Sequence, residues 1–184
     1  MPEAGSLLVA TPLLGDPHFS RTVIYMLEHD GGGSVGVIIN RPSHTPVGQV
    51  LPAWHDAISE PSVVFGGGPV QPDGALCLAH LPAGAAGHGP GVKRMTNSVG
   101  AVDLDGDVET ITTLTTGLRV FAGHSGWSPG QLAGEIDEGA WWVVAGGPED
   151  LFSDDPRPLW SRVLRRQPYP LNLVATYPAD PLLN

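Results

Sequence analysis

Residues 123–137 read GHSGWSPGQLAGEID. The run at 118–121 before them reads as a strand, so the stretch predicts strand, tight turn and helix, with Ser125 at the turn. A serine nucleophile elbow needs Gly-x-Ser-x-Gly, because only small residues let a strand turn into a helix directly at the serine. The fifth position here is Trp127. The helix signal also falls too far along the chain for an elbow. Ser128 as N-cap, Pro129 as first helical residue and Gln131 at the third position form the capping box S-x-x-Q, and such a cap stabilises a helix by about 0.5–2 kcal/mol. Leu132 and Ile136, four apart, then face the core, and Gly139 ends the helix. The motif predicts a capped structural helix and a non-catalytic Ser125, so no catalytic residue is assigned. A hydrolase using Ser125 is the disfavoured alternative.

Outward from this helix, runs rich in β-branched and aromatic residues at 6–11, 22–28, 35–39, 62–65, 75–80, 118–121 and 141–145 predict seven strands. Gly31, Gly32 and Gly33 supply the backbone freedom for a hairpin joining the second and third. Thr45-Pro46, Ser128-Pro129 and Asp155-Pro156 mark helix starts. Val108, Ile111, Leu114 and Thr115 give one face of a helix over 107–116. The Gly- and Pro-rich stretch 81–98 reads as a mobile loop, and the tail from Pro168 as extended chain.

The 184 residues, 41% hydrophobic, suffice for one ordinary core, and a single domain over 1–184 is expected. Asp and Glu number 19 against 9 Lys and Arg, a formal charge of −10. That field repels phosphate backbones and anionic lipid, which disfavours direct nucleic-acid binding and a membrane partner. Cys77 has no partner for an internal disulfide, and the N-terminus lacks the basic region and long apolar core of a signal peptide; a cytoplasmic protein is expected. No H-x-x-x-H or C-x-x-C spacing occurs, so neither a metal nor a cofactor is expected. Gly66-Gly67-Gly68-Pro69 lacks the Lys-Ser/Thr ending of a phosphate loop. Asp103, Asp105 and Asp107 lack the twelfth-position Glu of a calcium loop and read as a turn and helix cap. Arg157, Arg162, Arg165 and Arg166 read as a solvated helix face.

Five blocks in one order carry a resemblance: GSLLVATP at 5–12; Asp16-Pro17, Phe19, Arg21-Thr22-Val23 and Glu28-His29; GVIINRP at 36–42; GGPV at 67–70; and GWSPGQL at 126–132 with Glu135 and Trp141 or Trp142. The chain resembles the AlgH/YqgE family of bacterial cytosolic proteins, some of them labelled transcriptional regulators. The resemblance implies an α+β fold with a mixed, partly barrel-like β-sheet flanked by helices. It also implies a small, non-nucleophilic residue where this chain has Ser125.

One polar cluster has no evident structural duty. Arg21 enters the second strand, His29 leaves it, and Asn40-Arg41-Pro42 leaves the third. A hairpin sets the start of one strand beside the end of its partner, so Arg21, Asn40 and Arg41 should converge, and Arg forks suit carboxylate or phosphate. Gly67, Gly68 and Trp127 are expected neighbours of a shallow electropositive ligand site formed with Arg21, His29, Asn40 and Arg41. The competing expectation is that the arginines pair with Asp16, Glu28 or Glu135. The resulting functional expectation is a non-enzymatic binding or regulatory module for a small anion or a protein partner, with an indirectly acting transcriptional regulator as the alternative.

Overall fold

The computed structural model describes residues 1–84 and 88–178. Its strands are β1 (Leu7–Ala10), β2 (Val23–Asp30), β3 (Gly33–Ile38), β4 (Pro42–Pro46), β5 (Val63–Gly66), β6 (Val70–His80), β7 (His88–Gly89), β8 (Val92–Arg94), β9 (Val99–Val102), β10 (Gly117–Trp127) and β11 (Trp141–Val144). Its helices are α1 (Val47–Val50), α2 (Val108–Leu114), α3 (Gln131–Asp137), α4 (Pro148–Leu151), α5 (Leu159–Arg165) and α6 (Leu171–Val174), with a tighter helical turn at Pro52–Ala57. The strands form one curled, half-barrel sheet in the order β11-β1-β2-β3-β10-β6-β9-β8-β7, antiparallel throughout that path. β5 lies parallel to β10 and carries β4 on its far side, which makes the sheet mixed, as expected.

β10 is where the sheet forks. Ser125, Gly126 and Trp127 ladder with Gly36, Val35 and Ser34 of β3, while Phe121 and Ala122 pair with Phe65 and Gly66 of β5. The corner between the branches is Gly67-Gly68. The Ile38 amide donates to the Gly67 carbonyl at 2.9 Å, and the Gly67 amide to the Ala122 carbonyl at 2.9 Å. A Cβ on Gly67 would run into the Gly123 carbonyl, and one on Gly68 into the His124 carbonyl and Ser125 Oγ. Glycine is required here by the close approach of two backbones.

Three cores follow from side-chain alternation. Val9, Val23, Tyr25, Val37, Phe65, Leu78 and Phe121 fill the concave side against α5. On the outer face, α3 covers Leu8, Ile24, Met26 and Ile38 with Leu132, Trp127 and Trp141. The other part of the outer face buries Cys77, Ala79, Leu118 and Val120 under Val47, Trp54 and Ile111 of the α1–α2 side. Arg119, inside an apparently apolar strand, is fully buried. Its guanidinium donates to the carbonyls of Leu151 (2.8 Å), Ser153 (3.0 Å) and Glu60 (2.6 Å) and lies 4.3 Å above the Phe65 ring. Burial lowers its pKa to about 10, opposed by the charge of Asp154.

All seven expected strands are present, but β10 runs six residues beyond 121, so the expected turn at Ser125 is strand instead. The stretch 81–98, expected as a loop, contains β7, β8 and the start of the turn into β9, which pairs with β6 and β8; its residues 85–87 lie outside the described residues. The tail expected as extended chain forms α6, and its residues 179–184 also lie outside the description. The capping box is half made. Gln131 Oε1 reaches back to the Ser128 amide at 3.0 Å, but the helix starts at Gln131, behind Gly130 at φ +78°. Gly139 ends α3 as expected, with the Gly139 and Ala140 amides donating to the carbonyls of Ile136 and Glu135. α5 begins at Leu159, three residues after Pro156. Asp107 caps α2 by accepting from the Thr110 amide at 2.9 Å, as the turn-and-cap reading predicts.

Candidate functional site

Ser125 is fully buried within β10, and its hydroxyl donates to the Gly67 carbonyl at 3.2 Å. It ties the two branches of the sheet together and has no exposure to solvent. The rest of the GWSPGQLAGE stretch is a latch. Glu135 Oε2 accepts from the indole N–H groups of Trp127 (2.9 Å) and Trp141 (2.8 Å), and Gln131 Nε2 donates to Oε1 at 2.9 Å. The two indoles meet edge to face at 6.0 Å, with Phe19 against both. Satisfying buried indole donors lets large rings close the outer face without an unpaired polar group.

The seven expected site residues separate. Asn40 does lie beside Arg21, through its backbone: Asn40 Oδ1 accepts from the Val23 amide (3.0 Å) and Nδ2 donates to the Arg21 carbonyl (2.9 Å). The two guanidinium groups diverge. Arg21, at φ 55°, stacks 3.9 Å above Trp160 and donates to the Tyr177 carbonyl at 2.9 Å. Arg41 grips the turn before β2, donating to the carbonyls of His18, Pro17 (3.4 Å) and Ser20 (3.2 Å). Among the described residues neither forms an ion pair with Asp16, Glu28 or Glu135, and Glu135 instead holds the indoles. His29 sits at the closed end of the hairpin, Nδ1 at 2.7 Å from Ser34 Oγ, about six residues of strand from Val23, or roughly 20 Å. Trp127 is buried in the latch, 6% exposed, and is no wall for a ligand. Gly67 and Gly68 form the corner.

Of the seven, Arg41 and Gly68 line a common cavity. It measures about 350 Å³ and is completed by His18, Ile38, Gly66, Pro69 and Pro72. At Gly66 it adjoins a second cavity of about 440 Å³, floored by Val64, Ala75, Val120 and Ala122, walled by Val50 and Leu51 of the α1 end, and rimmed by Ser43, Thr45 and Asp73. Because they share Gly66, we read the two cavities as one groove on the outer face. The floor is apolar because alternation points Val120 and Ala122 outward from β10, and it is open because those residues are small. Burial lowers the Arg41 pKa, against the charge of Asp16, and its hydrogen bonds go to backbone carbonyls, which leave its charge unneutralised.

A family model described as AlgH-like matches residues 7–172, which span the latch, the glycine corner and the groove. The chain belongs to the AlgH-like family. It is 50% identical over 182 residues to a UPF0301 protein of Streptomyces coelicolor, covering 98% of this chain and 94% of that one. It is 48% identical over 179 residues to a UPF0301 protein of Mycobacteroides abscessus, covering 97% and 86%. The crystal structure of a Corynebacterium diphtheriae protein superposes with a TM-score of 0.90 at 34% identity, covering 96% of this chain and 93% of that one. The solution structure of AlgH from Pseudomonas aeruginosa gives 0.69 at 27% identity, covering 95% and 94%. Within this AlgH-like chain, sequence reasoning missed Val64, Ala75, Ala122, Ser43, Thr45, Asp73 and His18. The available signal was Gly74-Ala75 and Ala122-Gly123, small residues on paired strands where a packed core would place large ones.

Proposed function

We propose that this AlgH-like protein is a binding module rather than an enzyme, and that the outer-face groove takes a small molecule with an apolar body and an anionic end. The observation that carries this reading is the adjacency of a 440 Å³ apolar room and a smaller one holding Arg41 and His18, on a chain of charge −10. An apolar pocket with a few convergent polar groups is the usual form of a small-molecule site, and a cation at one end selects for a carboxylate or phosphate. A regulatory role exercised through such a ligand, without DNA contact, fits the charge and the ion pairs of Arg166 with Asp150 (2.6 Å) and of Arg162 with Asp155 (3.9 Å). The test uses octanoate, with octan-1-ol as its uncharged counterpart, in thermal melts. Octanoate at about 100 times its dissociation constant should stabilise the wild type by about 2.7 kcal/mol. Arg41→Met should reduce the effect to that of octanol, and Ala122→Phe should abolish both. Equal stabilisation of wild type and Ala122→Phe would reject the groove.

A further inference from the structure

A separate cavity of about 280 Å³ opens on the concave side, at the closed end of the β2–β3 hairpin. Leu27, Val35, Leu76 and Met95 supply its apolar lining, and Glu28, Gln71 and His124 its polar groups. Regular alternation would not bring these polar residues there. Along β2, Val23 and Tyr25 point to the concave core and Ile24 and Met26 to the outer one, so Glu28 should point outward. The register slips between Met26 and Glu28, leaving Glu28 paired with Val35 on the concave side.

The same reversal occurs on β10. Leu118 and Val120 point outward, which would send His124 outward too. Gly123, at φ +70°, reverses the parity, so that Trp127 joins the outer cluster and His124 lines the concave cavity. Opposite it, residues 71–74 of β6 leave the ladder between Val70↔His124 and Ala75↔Ala122. Gln71 in that excursion adopts φ 49°, a left-handed conformation rare for a residue with a side chain. Bulges re-aim side chains and are enriched beside functional sites, and strained residues cluster there as well. Two parity reversals and one strained residue meet at this cavity.

We infer that the concave cavity binds a small organic amine, its hydrocarbon part against Leu76 and Met95 and its ammonium group at Glu28. Among the described residues Glu28 is the one carboxylate that lines the cavity and no Lys or Arg lines it, so the site is matched to a cation. The His124 ring and the Gln71 amide add hydrogen-bond acceptors for the remaining ammonium protons. An ammonium–carboxylate hydrogen bond is charge-assisted and stronger than a neutral one.

The probe is 2-phenylethylamine, with 2-phenylethanol as its uncharged counterpart, titrated into the full chain and followed by methyl NMR. The amine should saturate signals of Leu27, Val35, Leu76 and Met95. The alcohol should bind roughly tenfold more weakly, and Glu28→Gln should weaken the amine by a similar factor. Glu28 is exposed, so that variant tests binding without threatening the fold; Leu76→Trp, which fills the cavity, should remove binding. Arg41→Met and Ala122→Phe should leave amine binding unchanged, which separates this site from the outer groove. The inference fails if the amine does not bind at millimolar concentration, if Glu28→Gln binds it as well as the wild type, or if the shifts fall on the outer face.

Discussion

The two halves of the outer sheet face are built from the same strand, β10, and finished in opposite ways. At its C-terminal end Trp127 turns outward and, with Trp141, Phe19 and Leu132, is sealed under α3, the indole donors both held by Glu135. At its middle Ala122 turns outward onto a groove that α1 borders without covering, beside Val120, which the α1–α2 side buries. The difference lies in side-chain volume more than in hydrophobicity. Large rings fill the space beneath a helix to the density of a protein interior, whereas Ala75, Ala122, Gly66 and Gly74 leave a hollow with an apolar floor. The sealed half supplies stability and the hollow half is the place proposed for a ligand, and the glycine corner at 67–68 sets the boundary between them.

Removing the seal should have the largest effect. Trp127→Ala should cost about 3–5 kcal/mol in urea unfolding, the usual loss for a buried aromatic. Glu135→Ala, which leaves two indole N–H groups without their acceptor, should cost about 2–6 kcal/mol, at about 1–3 kcal/mol for each unsatisfied group. A loss below 1 kcal/mol for both would mean that the latch does not close this half.

Alkaline pH probes the third region, under the α1–α2 cover. Burial raises the Cys77 thiol there from the ordinary 9.0 to about 12, and on the concave side it raises Tyr25 above 10.0. The unfolded chain then loses these protons first, so the native state binds more protons and stability falls as pH rises above about 9, by up to about 1.4 kcal/mol per pH unit for each group. Cys77→Ala should flatten the decline between its unfolded and folded pKa values. An unchanged slope in the variant would place the thiol in contact with water.

The smallest effects belong to the open half and to the helix entry. Ala122→Leu points into the hollow and should change stability by no more than about 0.5 kcal/mol. Ser128→Ala should do the same, because the Ser128 hydroxyl meets only the Gln131 side chain, at 3.1 Å, and caps no backbone amide. A loss near the 0.5–2 kcal/mol of a true N-cap would put the helix start back at Ser128.

The hairpin over 22–39 and the end of α3 were legible because glycine dictates them locally. β4, with a proline at each end and polar residues between, carries no strand signal; it exists because β5 offers it an edge. β9 hides in VGAV behind a Gly- and Pro-rich stretch, and Arg119 reads as a break in an apolar run until three carbonyls from distant loops surround it. The site was harder to read than the fold for a physical reason. Adjacency of Arg21 and Asn40 follows from hairpin geometry and does occur through the backbone, but where a long side chain points depends on distant partners, here Trp160 and the turn at 17–20. The reversals at Met26/Glu28 and at Gly123 change which face every later residue occupies, and period-2 reasoning has no means of locating them.

The contrast between a sealed half and an open one is tested most directly by methyl and indole NMR of the full chain during titration with octanoate. Saturable shifts should appear at Val50, Leu51, Val64, Ala75, Val120 and Ala122, while Met26, Leu132 and the indole signals of Trp127 and Trp141 stay in place. Shifts spread over the α3 half, or an absence of shifts at the groove at millimolar octanoate, would contradict it.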